Sequence, residues 1–131
     1  MGDLTKNFSR SEFECKCGCG FDDIDQTLVE GIQQIRDKIG VPLYCVRKTK
    51  AGYFPAGSGC RCRKHNSRVR GSRNSQHILG KAADIWGMPD IDEFVKIADT
   101  IPVFNKGGIG VYKSRGFVHL DVRGSRSRWT G

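Results

Sequence analysis

The sequence predicts an α+β fold: a single compact domain over residues 1–131, with helices packed on a small, mainly antiparallel sheet that carries a metal site. Three observations predict it. Apolar residues recur at helical spacing in two stretches, one beginning after Asp25 and one after Asp90. Two carboxy-terminal runs of strand character flank a short, glycine-containing connection. The histidines and acids best suited to hold a cation fall on or beside the strand-like segments. A chain of 131 residues with 37% apolar content can bury one core, which is why one domain is the simplest reading.

Taken in order, Asp22-Asp23-Ile-Asp25 supplies an amino-terminal cap and acids that complement a helix dipole. Leu28, Ile32, Ile35 and Ile39 then follow at helical spacing until Gly40 ends the element. Val41–Val46 reads as a strand leading into a loop over Arg47–Gly59, with Tyr53, Phe54 and Pro55 in the middle as a substrate-side flap. Arg61–Arg70 is strongly basic and contains His65 and Asn66, and Gly71–Ser75 is a turn-rich link. Ala82–Trp86 is a short strand. Pro89-Asp90 opens a second amphipathic helix bearing Ile91, Phe94, Val95, Ala98 and Ile101, which stops before Pro102. Ile109–Tyr112 and Phe117–Val122 are two strands joined across Lys113–Gly116 as a hairpin.

The chemistry-bearing residues lie around these elements. Ser75-Gln-His77-Ile-Leu-Gly80-Lys-Ala82-Ala-Asp84 sets an imidazole and a carboxylate seven apart across a bend that glycine permits, followed by an apolar run. In Phe117-Val-His119-Leu-Asp121-Val-Arg123, alternation puts His119 and Asp121 on one strand face and Val118, Leu120 and Val122 on the other. Two histidines and one carboxylate with an open fourth position form a recurrent catalytic zinc arrangement. Asp121 has three candidate roles: activating water, orienting a ligand from behind, or taking the third ligand place. Pairing with Arg123 or Arg61 is the structural alternative.

Six cysteines form a second set. Cys15, Cys17 and Cys19, and Cys60 and Cys62, are C-x-C clusters, with Cys45 apart. Neighbours at this spacing bond each other poorly, but they can pair between clusters or share a structural zinc or iron ion. Fifteen disulfide connectivities are possible, and ordinary zinc modules use C-x2-C spacing. Nothing singles out one thiol as a nucleophile.

The 75–84 motif, Val118-His-x-Asp121, and Ser58-Gly-Cys-Arg61 with His65-Asn66 together resemble the zinc D-alanyl-D-alanine carboxypeptidase family. That family includes phage L-alanyl-D-glutamate endolysins, D-Ala-D-Ala dipeptidases and the non-proteolytic hedgehog signalling domain. Asn7-Phe-Ser-Arg-Ser-Glu-Phe13 with the cysteine cluster, and Gly107-Gly-Ile-Gly-Val-Tyr112 ahead of the last histidine, resemble its small carboxypeptidase-like members. The resemblance implies one catalytic zinc ion on His77, Asp84 and His119. It also implies that Arg61 holds a substrate carboxylate or peptide oxygen. Family members commonly place an acid shortly before the last histidine. This chain has Lys113-Ser-Arg-Gly-Phe-Val118 there, which leaves Asp121 as the nearest acid.

The expected function is therefore zinc-dependent hydrolysis of peptide bonds in peptidoglycan stem peptides or cross-links, of carboxypeptidase or endopeptidase type, in phage-associated lysis or in wall remodelling. A formal charge of +8 suits an anionic wall. An inactive zinc-containing wall-binding or virion structural module is the alternative. A basic nucleic-acid-binding protein, using Arg61, Arg63, Lys64, Arg68, Arg70 and Arg73 with an Arg126–Arg128 tail, explains the charge but not the histidines. No apolar run approaches the roughly 20 residues of a membrane span, and the first residues lack a signal peptide's apolar core. A monomer is expected to be made in the cytoplasm and to reach the wall after release or as a virion component.

Overall fold

The computed structural model describes residues 2–45, 47–49, 52–54 and 58–131, with backbone alone at 47–49 and 52–54. The order is α1 (Arg10–Phe13), α2 (Gln26–Ile39), β1 (Arg47–Thr49), β2 (Gly52–Phe54), α3 (Arg63–Arg68), β3 (Ala82–Trp86), α4 (Ile91–Thr100), α5 (Pro102–Asn105), β4 (Gly108–Tyr112), β5 (Phe117–Asp121) and β6 (Ser127–Thr130). A four-stranded sheet runs β3-β5-β4-β6, antiparallel except for the β4–β6 pair. β1 and β2 form a separate antiparallel pair.

Alternation along the strands gives this sheet two different faces. Ala83, Ile85, Ile109, Val118 and Leu120 point to the core and meet Leu28, Val29, Ile32 and Ile35 of α2, Phe94 and Ala98 of α4, and Phe104 of α5. The other face presents Asp84, His119 and Asp121. The period-2 reading of β5 and the two amphipathic helices are both found in the structure. The Asp25 carboxylate accepts hydrogen bonds from the backbone N–H groups of Thr27 and Leu28 at 2.8 and 3.3 Å. Gly40 closes α2 in the left-handed conformation, φ 73°.

The segment before β1 departs from the expected strand. Among the described residues of Val41–Val46, pairing is a single bridge, Tyr44 with Trp86. Pro42 has no N–H to give, and Gly87, φ 106°, turns the partner strand away just past Trp86. Nearer the site, the N–H of Asp84 bonds the carbonyl of Ser58 at 2.7 Å, so a different segment covers that part of the β3 edge. The expected loop over 47–59 contains the paired β1 and β2, while the flap around Tyr53, Phe54 and Pro55 rests on side chains outside the described residues.

Pro102 both ends α4 and opens α5, where the missing N–H costs nothing at the first helical position. The carboxy-terminal arginines are not a loose tail. Arg126 and Arg128 reach the Asp99 carboxylate at 3.0 and 2.6 Å, and Arg128 also donates to the carbonyls of Gly107 and Phe104, which seats β6 beside β4. No helix of the described residues is long and apolar enough to cross a membrane.

Because Asp25 alone caps the first turn of α2 with its side chain, Asp25→Ala should cost about 1 kcal/mol in urea unfolding followed by circular dichroism. Asp25→Asn should retain most of the stability.

Candidate metal centre

Strand register assembles the centre. Asp84 on β3 lies opposite His119 on β5, which lies opposite Gly110 on β4, which pairs with Trp129 on β6. The next row is Ala82, Asp121, Gly108 and Ser127. The two β4 glycines are required by space: a Cβ on Gly110 would meet the Trp129 indole, and one on Gly108 would meet the Asp121 carboxylate. Their absent side chains let Trp129 lean to 5.0 Å from the His119 ring and let Asp121 lie flat against the sheet.

His77 arrives from outside the sheet on the turn before β3. Ser75 Oγ accepts the N–H of His77 at 3.2 Å, and the N–H of Gly80 bonds the His77 carbonyl at 3.2 Å. Gly80 sits at φ 69°, where a Cβ would collide with the Asp23 carbonyl oxygen, and its own carbonyl accepts from the N–H of Asp25 at 2.8 Å. The start of α2 thus fixes the bend that brings His77 to Asp84.

Ligand-type atoms of His77, Asp84 and His119 all lie within 4.8 Å of one another, and all three residues are buried. His77 Nε2 is 3.3 Å and His119 Nδ1 is 3.1 Å from Asp84 Oδ1. Their rings stand edge to face, 5.1 Å between centroids.

The outer ring nitrogens decide the protonation. His77 Nδ1 is 2.7 Å from the carbonyl of Gly59, which can only accept, so Nδ1 carries a proton. His119 Nε2 is 2.7 Å from Asp121 Oδ2, another acceptor. In neutral imidazoles both inner nitrogens are then bare lone pairs facing the Asp84 carboxylate. Three acceptors at 3.1–3.3 Å are tolerable only with a cation among them or extra protons on the rings. A tetrahedral zinc with bonds of about 2.0–2.2 Å needs ligand atoms roughly 3.3 Å apart, so these residues fit a metal ion.

Asp121 lies behind His119, its Oδ2 2.7 Å from the outer ring nitrogen. It is fully buried and saturated: besides His119 it accepts from the Gly108 N–H at 2.8 Å and from Arg123 Nε and Nη2 at 2.9 and 2.7 Å. The Arg123 pairing read as an alternative is therefore present together with the histidine contact. Burial alone would raise the Asp121 pKa, but His119 and Arg123 outweigh it and hold the carboxyl well below the usual range. Burial likewise works against ionised Asp84, yet His77 and His119 keep it low. His77 is pushed down, chiefly by burial, while His119 is raised because its bonds to Asp121 and Asp84 exceed its own burial penalty.

The trio opens on a cleft of about 780 Å³. Arg61 stands at its inner wall, Nη2 3.5 Å from Asp84 Oδ2 and Nη1 3.2 Å from Asn66 Oδ1, while Asn66 Nδ2 donates to the carbonyl of Ser72 at 2.9 Å. His65, next to Asn66, turns away with Nδ1 3.3 Å from Cys15 Sγ. Arg70, Arg115 and Arg123 also line the cleft, and Asp84 is the one acidic residue among its described lining residues. The sequence reading passed over an aromatic wall in which Phe117 lies between Trp86, at 4.7 Å, and stacked Tyr112, at 4.6 Å. Its signal was present as aromatics at the site-face positions of three strands. Trp129, whose Nε1 donates to Tyr112 Oη at 2.8 Å, was hidden in an apparent basic tail.

Asp121→Asn should weaken divalent metal binding about 10- to 100-fold with little loss of secondary structure, measured by competition with a chromophoric chelator. Gly80→Ala, strained in both backbone and space, should do so while also lowering the melting temperature.

Over 82 residues the chain is 33% identical to a protein of Haemophilus influenzae described as "Probable peptidoglycan L,D-endopeptidase MepK"; the match covers 61% of this chain and 40% of that protein's length. No solved structure gives a significant match. The Peptidase M15 family model matches residues 6–121, a span that holds the whole His77, Asp84 and His119 trio together with the Asp121 that backs it, and the chain belongs to that family.

Proposed function

We propose that this chain is a zinc peptidase that hydrolyses peptide bonds in the stem peptides or cross-links of bacterial peptidoglycan. The observation that carries the reading is the convergence of His77, Asp84 and His119 at the floor of an arginine-lined cleft. The three residues would hold zinc, and the two pinned imidazoles would offer it their lone pairs without rearrangement. Bound there, zinc supplies Lewis-acid chemistry, polarising a peptide carbonyl and acidifying water.

The chain's own residues do the rest. Asp121 is a positioning residue: it fixes the His119 ring and tautomer and, being sealed from the cleft, does not itself exchange protons with substrate. Arg61, already braced by Asn66, presents a guanidinium beside the metal ligands for a peptide oxygen or terminal carboxylate. Arg70, Arg115 and Arg123 make the cleft attractive to the carboxylates of an acidic stem peptide, and the wall of Trp86, Phe117 and Tyr112 gives its backbone an apolar surface. The relative's printed description concerns a peptidoglycan endopeptidase, which supports the same substrate class. The motif's resemblance to phage endolysins supports action at the cell wall in lysis.

A second reading has one observation in its favour. Among the described residues no carboxylate other than Asp84 lines the cleft, so no side-chain acid stands ready as general base. A zinc-containing module that binds the wall without cutting it would need none. Release of new amino groups from purified peptidoglycan, with mass spectrometry of the fragments, separates the two. Zinc-loaded protein should release fragments, and chelation or His77→Ala should abolish release. Sedimentation with peptidoglycan at one bound zinc but without fragments would overturn the peptidase reading in favour of the module. In the active case, Arg115→Ala should raise KM about two- to fivefold with kcat little changed, the size expected for one exposed charge.

A further inference from the structure

We propose that Cys15, Cys17, Cys19 and Cys62 form a second, structural metal site, a tetrathiolate that takes zinc and fastens the amino-terminal segment to the strip of chain that shapes the catalytic cleft. The four sulfurs lie within 4.8 Å of one another. Cys15 Sγ is 3.4 Å from Cys17 Sγ, which is 3.5 Å from Cys62 Sγ. A tetrahedral zinc with sulfur at about 2.3 Å places its sulfurs roughly 3.8 Å apart, inside that range. Among the described residues every cysteine is a free thiol, and the other two, Cys45 and Cys60, are wholly buried in the apolar core. The six cysteines thus divide into a set of four that converge and two that pack as small apolar side chains.

C-x-C spacing is unusual for zinc, and the backbone shows how it works here. In an extended chain Cys15 and Cys19 would stand about 13 Å apart. Gly18 and Gly20, at φ 85° and 88°, curl the segment instead, and the N–H of Cys15 bonds the carbonyl of Phe21 at 2.7 Å to close the loop. A Cβ on either glycine would meet nothing within 4 Å, so both are present for conformation and not for room. Donors already face the sulfurs: the N–H of Cys62 points at Cys15 Sγ and that of His65 at Cys62 Sγ, each at 3.4 Å, and His65 Nδ1 lies 3.3 Å from Cys15 Sγ. Four thiolates on one divalent ion leave a charge of −2, and Lys16, Arg63 and Lys64 adjoin the ligands in sequence to offset it.

The site has a structural purpose because of what lies between its halves. Cys62 ends the strip Gly59-Cys60-Arg61. Gly59 supplies the carbonyl that fixes His77 Nδ1, and Arg61 is the cleft guanidinium. The N–H of Cys60 bonds the carbonyl of Phe13 at 2.7 Å, and Gly59 packs so close to the Phe13 backbone that a Cβ would come within 2.6 Å of it. Joining Cys15, Cys17 and Cys19 to Cys62 would lock both ends of this contact.

The test is metal content of the full chain, purified under reducing conditions, in the His77→Ala/His119→Ala variant that lacks the catalytic site. One zinc per chain should remain, and cobalt put in its place should give the intense near-ultraviolet sulfur-to-cobalt charge-transfer absorption of thiolate ligation. Adding Cys17→Ser/Cys62→Ser should abolish both. Absence of zinc and of that absorption in the His77→Ala/His119→Ala protein would overturn the proposal even if the cysteine variants fail to fold. An intact mass showing the four thiols oxidised to disulfides would overturn it too. Because neither readout uses peptidoglycan or turnover, the outcome is independent of the proposed hydrolysis.

Discussion

The two imidazoles of the centre have each committed their outer nitrogen to an acceptor, His77 to the Gly59 carbonyl and His119 to the Asp121 carboxylate. Their inner nitrogens both face Asp84 Oδ1, at 3.3 and 3.1 Å, an arrangement that asks for positive charge at the point where they meet, either a cation or protons on the rings. Much of the surrounding architecture serves this constraint. β4 gives up two side chains so that Asp121 and Trp129 can back His119, α2 holds the Gly80 bend in place, and Ser58 occupies the β3 edge beside Asp84.

The arrangement also separates two tasks that a carboxylate can perform. Asp84 faces the cleft, where burial works against its ionised form but contacts with His77 and His119 hold its carboxyl low. Asp121 faces the sheet, sealed and fully hydrogen-bonded, and works through His119. The same strand alternation that puts His119 and Asp121 on one face makes them meet at 2.7 Å, so a spacing of two along a strand is enough to pair an imidazole with the carboxylate that orients it.

What the sequence made legible follows the range of the signals. The α2 cap, its apolar stripe and its terminal glycine are local features, as is the period of β5, and each was readable without tertiary information. The His77 and Asp84 motif was readable for the same reason. The carbonyl of Gly59 was invisible because a backbone acceptor leaves no trace in residue type. The pairing of β6 beside β4 is hidden because Arg126 and Arg128, just before and within the strand, read as solvated charge, whereas Asp99, far away in sequence, neutralises them. α1 and α3 are too short for periodicity to announce, and Val41–Val46 has strand composition, but among its described residues only Tyr44 pairs with the β3 edge, where Ser58 takes the N–H of Asp84.

The chain has two tryptophans, and both stand on the cleft walls. Trp129 rests beside His119 with the Arg123 guanidinium 5.2 Å from its ring, and Trp86 sits against Phe117 with its Nε1 donating to Ser58 Oγ at 3.4 Å. The helical core holds neither. Tryptophan emission, excited selectively over tyrosine, therefore originates at the cleft, so a cation entering the candidate metal centre, or a peptide lying along the aromatic wall, carries its own optical signal without any dye.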